Sequence, residues 1–342
     1  MQKNAACHTL LTLYHRISRL TALFPSAIFS LKFSTLLWYI ECLTVRHPDV
    51  LFSYFWRCAM TETRFLPSQF VYDRLEEQFK PDRVTDIFPK KGLQFDFNTE
   101  IRKVYTATFA NPSVISEILR RGETDIMLFT HHPRPPMPSL QANYAEIPED
   151  LIEQMKERRI SLFSYHIPMD AGYFYSPAYT LGETLGGNIY DFWYPQNNGL
   201  IGVLCSSGFD TITELRNKFI KVLGHKVSCT QYGGEKLIDG KFAVMPGCSK
   251  SLEAYKYLKE NGVNVLVTGV TSPVVDWSKE VHEAAKANGI TLLAGTHCST
   301  EQFAPRKMCG YFQNLGLESE FIPETPNFDE LDAENIYEDG AK

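Results

Sequence analysis

Leu128-Phe129-Thr130-His131-His132-Pro133 is the stretch on which the fold prediction depends. Residues 125–130 (DIMLFT) have the length and apolar character of a buried strand, which we expect to stop at His-His-Pro because proline cannot donate to a sheet ladder. Ligands in open α/β sheets bind outside the carboxyl ends of the strands, where this pair falls. Taken alone, two adjacent histidines are more typical of a partly exposed turn than of a ligand site.

Two further predicted strands end in the same way. The segment SYHIPMD places His166 directly after an apolar run and Asp170 four residues later. The segment GTHCSTE places Glu301 four residues after His297, where a helix should begin. Residues four apart face the same side of a helix, as a pair of metal ligands requires. Because only nine histidines occur in the chain and four of them end these three strands, we predict that they share one metal site.

The chemistry of such a set follows from its donor atoms. Imidazole together with carboxylate suits Zn, Fe, Mn or Co better than a thiolate-selected soft metal. A carboxylate can bridge two cations, and two ions about 3.5–4 Å apart can lower the pKa of a shared water. A metal-dependent hydrolytic reaction is therefore the chemistry we expect of a catalytic site here.

The rest of the chain predicts an α/β fold. Strand-like and helix-like segments alternate, which favours βαβ units and a mixed, largely parallel sheet flanked by helices. Asp239-Gly240 is a hairpin signal, so we also expect at least one antiparallel pair. The predicted strands are residues 101–109, 125–130, 160–165, 200–205, 242–245, 263–267 and 290–294. The predicted helices are residues 69–79, 112–121, 148–158, 211–223, 249–260 and 274–288.

Composition divides the chain into unequal parts. Residues 1–59 carry six Lys or Arg and two acidic residues, whereas the whole chain has a net charge of −6, so the remainder is acidic. We interpret residues 1–59 as an atypical extension: a translation start annotated too early, with Met60 the true start, a targeting segment, or a domain of its own. Residues 60–322 are the predicted main domain, with halves of about 60–190 and 200–322. Residues 323–342 form an acidic tail that we expect to be a solvated end.

The same observations exclude some classes of function. An acidic main domain is a poor nucleic-acid binder, because affinity for phosphate backbones needs clustered Lys and Arg. No apolar run after Met60 is long enough to span a membrane. The eight cysteines are scattered without a C-x-x-C pair, which favours a reducing, cytoplasmic location, with organelle targeting open if residues 1–59 are translated.

Together, LFTHHP, SYHIPMDAGYFYSPAYTLGETLG and GTHCSTE resemble the dinuclear-metal-centre hexameric proteins, also called GTP cyclohydrolase 1 type 2 homologues or Nif-three-like proteins. The similarity runs from about Gly92 to about Phe312. It implies two intertwined α/β halves, a ring-shaped homohexamer and two divalent metal ions per subunit. The implied metal ligands are His131, His132, Asp170, His297 and Glu301. The resemblance places His166 beside the metals, where we expect it to contact the substrate or carry a proton.

Three positions depart from the family pattern. Thr108-Phe109-Ala110-Asn111 replaces a segment that usually holds an aspartate, and Val270 replaces an acidic residue. Cys298, next to His297, is a candidate nucleophile or ligand, although a small buried residue is the more common reason for a cysteine there. His282 is a further residue that the family pattern brings towards the site.

Two classes of function remain open. The first is a metal-dependent hydrolase or cyclohydrolase acting on a small nucleotide or phosphorylated molecule, with His166 as the proton carrier. The second is a non-catalytic metal-binding or regulatory protein that acts through interaction. Substrate turnover distinguishes the two classes, because metal binding is common to both.

Overall fold

The computed structural model describes residues 65–88, 90–134 and 145–338. The extension predicted at residues 1–59 and the alternative start at Met60 lie outside the described residues. Among the described residues, no helix has the length and apolar character needed to cross a membrane.

The described chain contains strands and helices in alternation, as the sequence predicts. The strands are β1 (Leu66–Pro67), β2 (Gly92–Phe95), β3 (Glu100–Ile101), β4 (Lys103–Phe109), β5 (Ile126–His132), β6 (Ile160–Ser164), β7 (Asn188–Gln196), β8 (Gly199–Ser206), β9 (Val227–Thr230), β10 (Lys241–Met245), β11 (Val265–Thr268), β12 (Thr291–Ala294), β13 (Glu318–Phe321) and β14 (Ile336–Tyr337). The α-helices are α1 (Ser68–Phe79), α2 (Pro112–Arg120), α3 (Glu149–Glu157), α4 (Ile167–Asp170), α5 (Pro177–Thr184), α6 (Ile212–Leu223), α7 (Glu253–Glu260), α8 (Ser278–Asn288), α9 (His297–Glu301) and α10 (Phe303–Asn314).

The first sheet has five strands in the order β13-β4-β5-β6-β2. Strands β13, β4, β5 and β6 are parallel, and only β2 is antiparallel to its neighbour. Alternate residues of β5 enter two different cores, with Phe129 on one face and Leu128 on the other. A strand buried on both faces reads as a continuous apolar run, which explains why DIMLFT was recognisable in the sequence.

The second sheet has seven strands in the order β14-β9-β12-β11-β10-β8-β7. Its centre, β10-β11-β12, is parallel, and both flanks are antiparallel. The two mixed sheets flanked by helices confirm the predicted α/β class. The parallel character is stronger in the first sheet than in the second.

The hairpin predicted at Asp239-Gly240 is wrong. Those residues form a short 3-10 turn, and the antiparallel partner of β10 is the distant β8. The tight hairpin joins β7 to β8 through Asn197 and Asn198, whose φ angles are +50° and +66°. Asparagine tolerates this left-handed conformation better than most residues, so the hairpin forms at Asn197-Asn198, where none was predicted.

The C-terminal segment connects the two sheets. After β12 in the second sheet, the chain runs through α9 and α10 into β13 of the first sheet, and then returns to add β14 to the second. The expectation of a solvated acidic tail is wrong for this segment, since Glu330, Leu331 and Asp332 are buried. Burial of Leu331 and pairing of β14 with β9 hold the segment against the domain despite its acidic composition.

Candidate metal centre

Three strand ends meet where the two sheets come together, and each contributes side chains to one cluster. His131 and His132 are the last residues of β5, so the strand continues through the pair instead of stopping before it. Both side chains are buried, and their ring centroids lie 4.5 Å apart. The His-His pair is therefore part of a buried cluster and not of an exposed turn.

His131 supplies the clearest indication that the cluster is built to hold a cation. Its Nδ1 lies 3.1 Å from the carbonyl oxygen of Tyr165 and must donate to it, which leaves Nε2 as the acceptor nitrogen. That Nε2 is buried without a hydrogen-bond partner and lies 3.4 Å from Oδ1 of Asp170. A lone pair that faces a carboxylate oxygen is unfavourable unless a cation lies between them. A metal ion would satisfy both donor atoms.

The third strand end brings a carboxylate between the imidazoles. Thr296 and Ser299 form a capping box that starts helix α9 at His297, and Glu301 ends the same helix. Oε1 of Glu301 lies 3.2 Å from Nε2 of His297, and Oε2 lies 2.7 Å from Nε2 of His132. The predicted His-x-x-x-Glu pair thus faces one side, as helical geometry requires.

The donor atoms form two overlapping groups. His131, His132 and His166 offer ligand atoms within 4.8 Å of one another, and so do His132, His297 and Glu301. Asp170 lies beside the first group, against His131 and, at 3.8 Å, against Nε2 of His166. All six residues singled out from the sequence therefore lie in one cluster, and their donor set fits a divalent metal ion.

Comparison with known proteins identifies the family of this chain. The model of the DUF34/NIF3 (NGG1p interacting factor 3) family matches residues 68–327. This chain belongs to the DUF34/NIF3 family. The suspected resemblance to dinuclear-centre proteins is thereby confirmed as a family relationship.

Curated relatives and solved structures agree with this assignment. A protein of Borreliella burgdorferi named GTP cyclohydrolase 1 type 2 homolog is 25% identical over 245 residues, covering 69% of this chain and 89% of the relative. A Chlamydia trachomatis protein of the same name is 25% identical over 256 residues, covering 74% and 96%. The structure of protein ybgI superposes with a TM-score of 0.63 at 18% identity, and that of reduced HcgD from Methanocaldococcus jannaschii with 0.59 at 23%. Each covers 77% of this chain and all of the other, which shows that the fold is shared.

The electrostatics of this NIF3-family centre favour the ligand forms of His132 and Glu301, whereas burial raises the pKa of Asp170. Burial lowers the pKa of His132 well below its usual value, so the imidazole is neutral. Burial alone would raise the pKa of Glu301, but the neighbouring His297 and His132 outweigh it and hold the pKa well below its usual value. Neutral imidazole and ionised carboxylate are the forms that bind metal.

Several residues that shape the centre were not found from the sequence. The ring of Phe109 stacks on His132 with centroids 4.2 Å apart and planes 6° apart, and the Glu330 side chain accepts a 2.7 Å hydrogen bond from the amide of His297. Gly247 lies so close that an added Cβ would be 2.2 Å from Oε1 of Glu301.

Two weaker candidates lie outside the cluster. His282 hydrogen-bonds to Tyr232 and to the carbonyl oxygen of Thr271. Cys298 points away from the metal ligands, within 3.8 Å of the carbonyl of Thr325, and burial raises its pKa to about 12. A thiol with so high a pKa is a poor nucleophile at neutral pH, which favours its interpretation as a small buried residue.

Proposed function

We propose that this centre holds two divalent metal ions and that the protein is a metal-dependent hydrolase, similar to a cyclohydrolase, acting on a small nucleotide or phosphorylated molecule. The observation that carries the proposal is the buried Nε2 of His131, which faces Asp170 with no hydrogen-bond partner. Most buried polar atoms in proteins have a hydrogen-bond partner, and the nearby carboxylate makes a cation the explanation that fits this nitrogen.

The ligands would be His131, His132, Asp170, His297 and Glu301. Support for two ions comes from Glu301, whose Oε1 lies against His297 and whose Oε2 lies against His132. Each oxygen therefore faces a different imidazole, as a bridging carboxylate requires. When bound, two such ions act as Lewis acids and lower the pKa of the water molecule that they hold. The chain's own residues would orient the substrate, and His166, at the edge of the cluster, would carry a proton.

The substrate class is supported by the names of the relatives and by the chemistry of the centre. Both curated relatives are named GTP cyclohydrolase 1 type 2 homolog. Paired metal sites recur in enzymes that cleave phosphate esters and related bonds. A nucleotide or a phosphorylated metabolite is thus the first class to test.

Metal analysis and a substrate screen test the proposal in two steps. Purified wild type should contain about two ions per chain, and Glu301→Ala should lose most of them. Fewer than about one ion per chain in the wild type would contradict the proposal of a dinuclear centre. Glu260→Ala is the matched control, since Glu260 is an exposed glutamate whose one ion pair is with Lys256.

The second step offers GTP, other nucleotides and phosphoesters to wild type, Glu260→Ala and Glu301→Ala, each supplied with the same metal. Wild type and Glu260→Ala should turn over a substrate that Glu301→Ala does not. A metal-loaded wild type that is inert to all of them would replace the hydrolase proposal with the non-catalytic metal-binding class.

We also propose that the chain assembles as a homohexamer with its centres facing an internal cavity, as the resemblance implies. Light scattering on the purified protein would test this, because six chains of 39.0 kDa have a mass of about 234 kDa. A monomer or dimer mass at micromolar concentration would contradict it.

A further inference from the structure

A buried carboxylate reaches His166 from 80 residues earlier in the chain. Oδ1 of Asp86 lies 3.0 Å from Nδ1 of His166, and the side chains of the two residues are 3% and 11% exposed. Asp86 lies in the loop between α1 and β2, outside every motif that marks the metal centre. The contact therefore joins the centre to a segment with no metal ligand of its own.

Two backbone amides hold the Asp86 carboxylate in place beside the His166 imidazole. Its Oδ1 also accepts a 3.1 Å hydrogen bond from the amide of Phe88, and its Oδ2 accepts a 3.0 Å hydrogen bond from the amide of Ile167. Burial alone would raise the pKa of Asp86, but the neighbouring His166 and the backbone amides of Phe88 and Ile167 together outweigh it and lower the pKa. Asp86 is thus an ionised acceptor with three donors, one of which must be His166 Nδ1–H.

The opposite nitrogen of His166 faces the metal centre. Its Nε2 lies 3.8 Å from Oδ2 of Asp170, and a ring nitrogen of His166 lies within 4.8 Å of the ligand atoms of His131 and His132. The ring of Phe88 meets the His166 ring edge-on, with centroids 4.9 Å apart, and limits its rotation. The proton on Nδ1 is fixed by Asp86, so Nε2 is the nitrogen directed at the centre, and it is an acceptor whenever the imidazole is neutral.

We propose that Asp86 is a positioning residue, which holds His166 in the Nδ1–H tautomer so that Nε2 presents an acceptor to a substrate at the metal centre. This rests on the proposed function only in giving His166 a substrate to contact. Carboxylates that fix a histidine tautomer recur in active sites, and replacing such an aspartate by asparagine can select the wrong tautomer with little change in geometry.

The substitution Asp86→Asn separates this role from simple support of the loop. Asparagine offers one oxygen and one NH₂ group, whereas the structure places donors at both oxygens of Asp86. An NH₂ group turned towards His166 would require Nδ1 to accept and would move the proton to Nε2. An NH₂ group turned towards Ile167 would oppose a backbone N–H and weaken the loop.

The test is ¹⁵N NMR of the histidines in the full chain, loaded with zinc alone. Long-range ¹H–¹⁵N correlations report the tautomer of each imidazole, and His166→Gln identifies the His166 signal by its absence. Asp332→Asn is the matched control, because Asp332 is a buried aspartate that accepts from Thr230 and from the amide of Glu334. Zinc content is measured for every variant.

We expect His166 to be protonated on Nδ1 in the wild type and in Asp332→Asn, and to gain Nε2 protonation in Asp86→Asn. Zinc stoichiometry should stay the same in Asp86→Asn and His166→Gln. An unchanged His166 tautomer in Asp86→Asn would overturn the proposal, and so would the loss of one zinc ion in His166→Gln, which would make His166 a ligand. Neither result depends on turnover, so failure of this inference is distinguishable from failure of the hydrolase proposal.

Discussion

Replacing Gly247 with alanine should abolish tight metal binding and leave the fold intact. Gly247 follows β10 with a φ of +64°, and a Cβ built on it would lie 2.2 Å from Oε1 of Glu301 and 2.9 Å from Nε2 of His297. Both atoms belong to proposed metal ligands. The atoms that must move are at the ends of side chains, so the backbone has no need to rearrange.

The size of the effect follows from these distances. Real Cβ atoms essentially never approach closer than 3.0 Å, so Oε1 of Glu301 must retreat by about 0.8 Å, the difference between 3.0 and 2.2 Å. Metal–ligand distances tolerate only about ±0.2 Å. Changes that merely disturb the partners of ligands cost about 10–100-fold in metal affinity. We therefore expect Gly247→Ala to weaken zinc binding by at least about 100-fold, or about 2.8 kcal/mol.

A second glycine provides the control for backbone strain. Gly289 has a φ of +68°, and a Cβ there would meet nothing within 4 Å. Gly289→Ala should carry a similar strain of about 1–2 kcal/mol, because alanine resists the left-handed conformation, and should keep normal zinc affinity. Zinc affinity is measured by competition with a chelating dye, and stability by urea unfolding of the metal-free proteins. Equal zinc affinity in the two variants would refute the reasoning.

Three further predictions concern the surroundings of the centre. Phe109→Ala removes the buried ring stacked on His132 and should reduce the free energy of unfolding, measured by urea titration, by about 3–5 kcal/mol. A reduction of less than about 1 kcal/mol would contradict this packing role. Burial raises the pKa of Glu324 to about 8, above its value in the unfolded chain, so its contribution to stability is present at acidic pH and is lost as pH rises through about 8. In urea titrations, the free energy of unfolding of wild type relative to Glu324→Gln should therefore fall between pH 5 and pH 8. A rise over this range would contradict the argument. Removing zinc with EDTA should lower the Tm of wild type, because zinc at 100 times its Kd stabilises by about 2.7 kcal/mol, but should leave the Tm of Glu301→Ala unchanged in calorimetry.

Local signals in the sequence predicted many of the elements and pointed to the residues of the candidate metal cluster, but they missed strands β7 and β9 and helices α5 and α10. The apolar run before His131 marks a strand buried on both faces, and the spacing of His297 and Glu301 matches one turn of a helix. Each of these patterns is written within a few consecutive residues. Strands β5 and β6 are parallel and end at the same edge of the first sheet, so His131, His132 and His166 could be expected to converge. Strand β12 belongs to the second sheet, so sheet geometry alone does not predict that His297 and Glu301 join them.

The surroundings of the ligands could not be predicted in this way. Asp86 meets His166 across 80 residues, and Glu330 meets the amide of His297 across 33. Neither acidic residue lies in a pattern that distinguishes it from other surface acids. The composition of the C-terminal segment indicated solvation, yet Leu331 and the β14–β9 pairing hold it in the fold. Such contacts depend on which elements become neighbours, which sequence periodicity does not encode.

The arrangement of the ligands also explains how the centre stays compact before it binds metal. His131 and His132 end a strand of the first sheet, whereas His297 and Glu301 follow β12 of the second. Nε2 of His132 lies 2.7 Å from Oε2 of Glu301, so a proton on that nitrogen can hold the two sheets together across 169 residues of chain. A metal ion bound to this nitrogen would take the place of such a proton, because imidazole must give up its proton to become a ligand. Metal and protons would therefore compete for the same atoms of the centre.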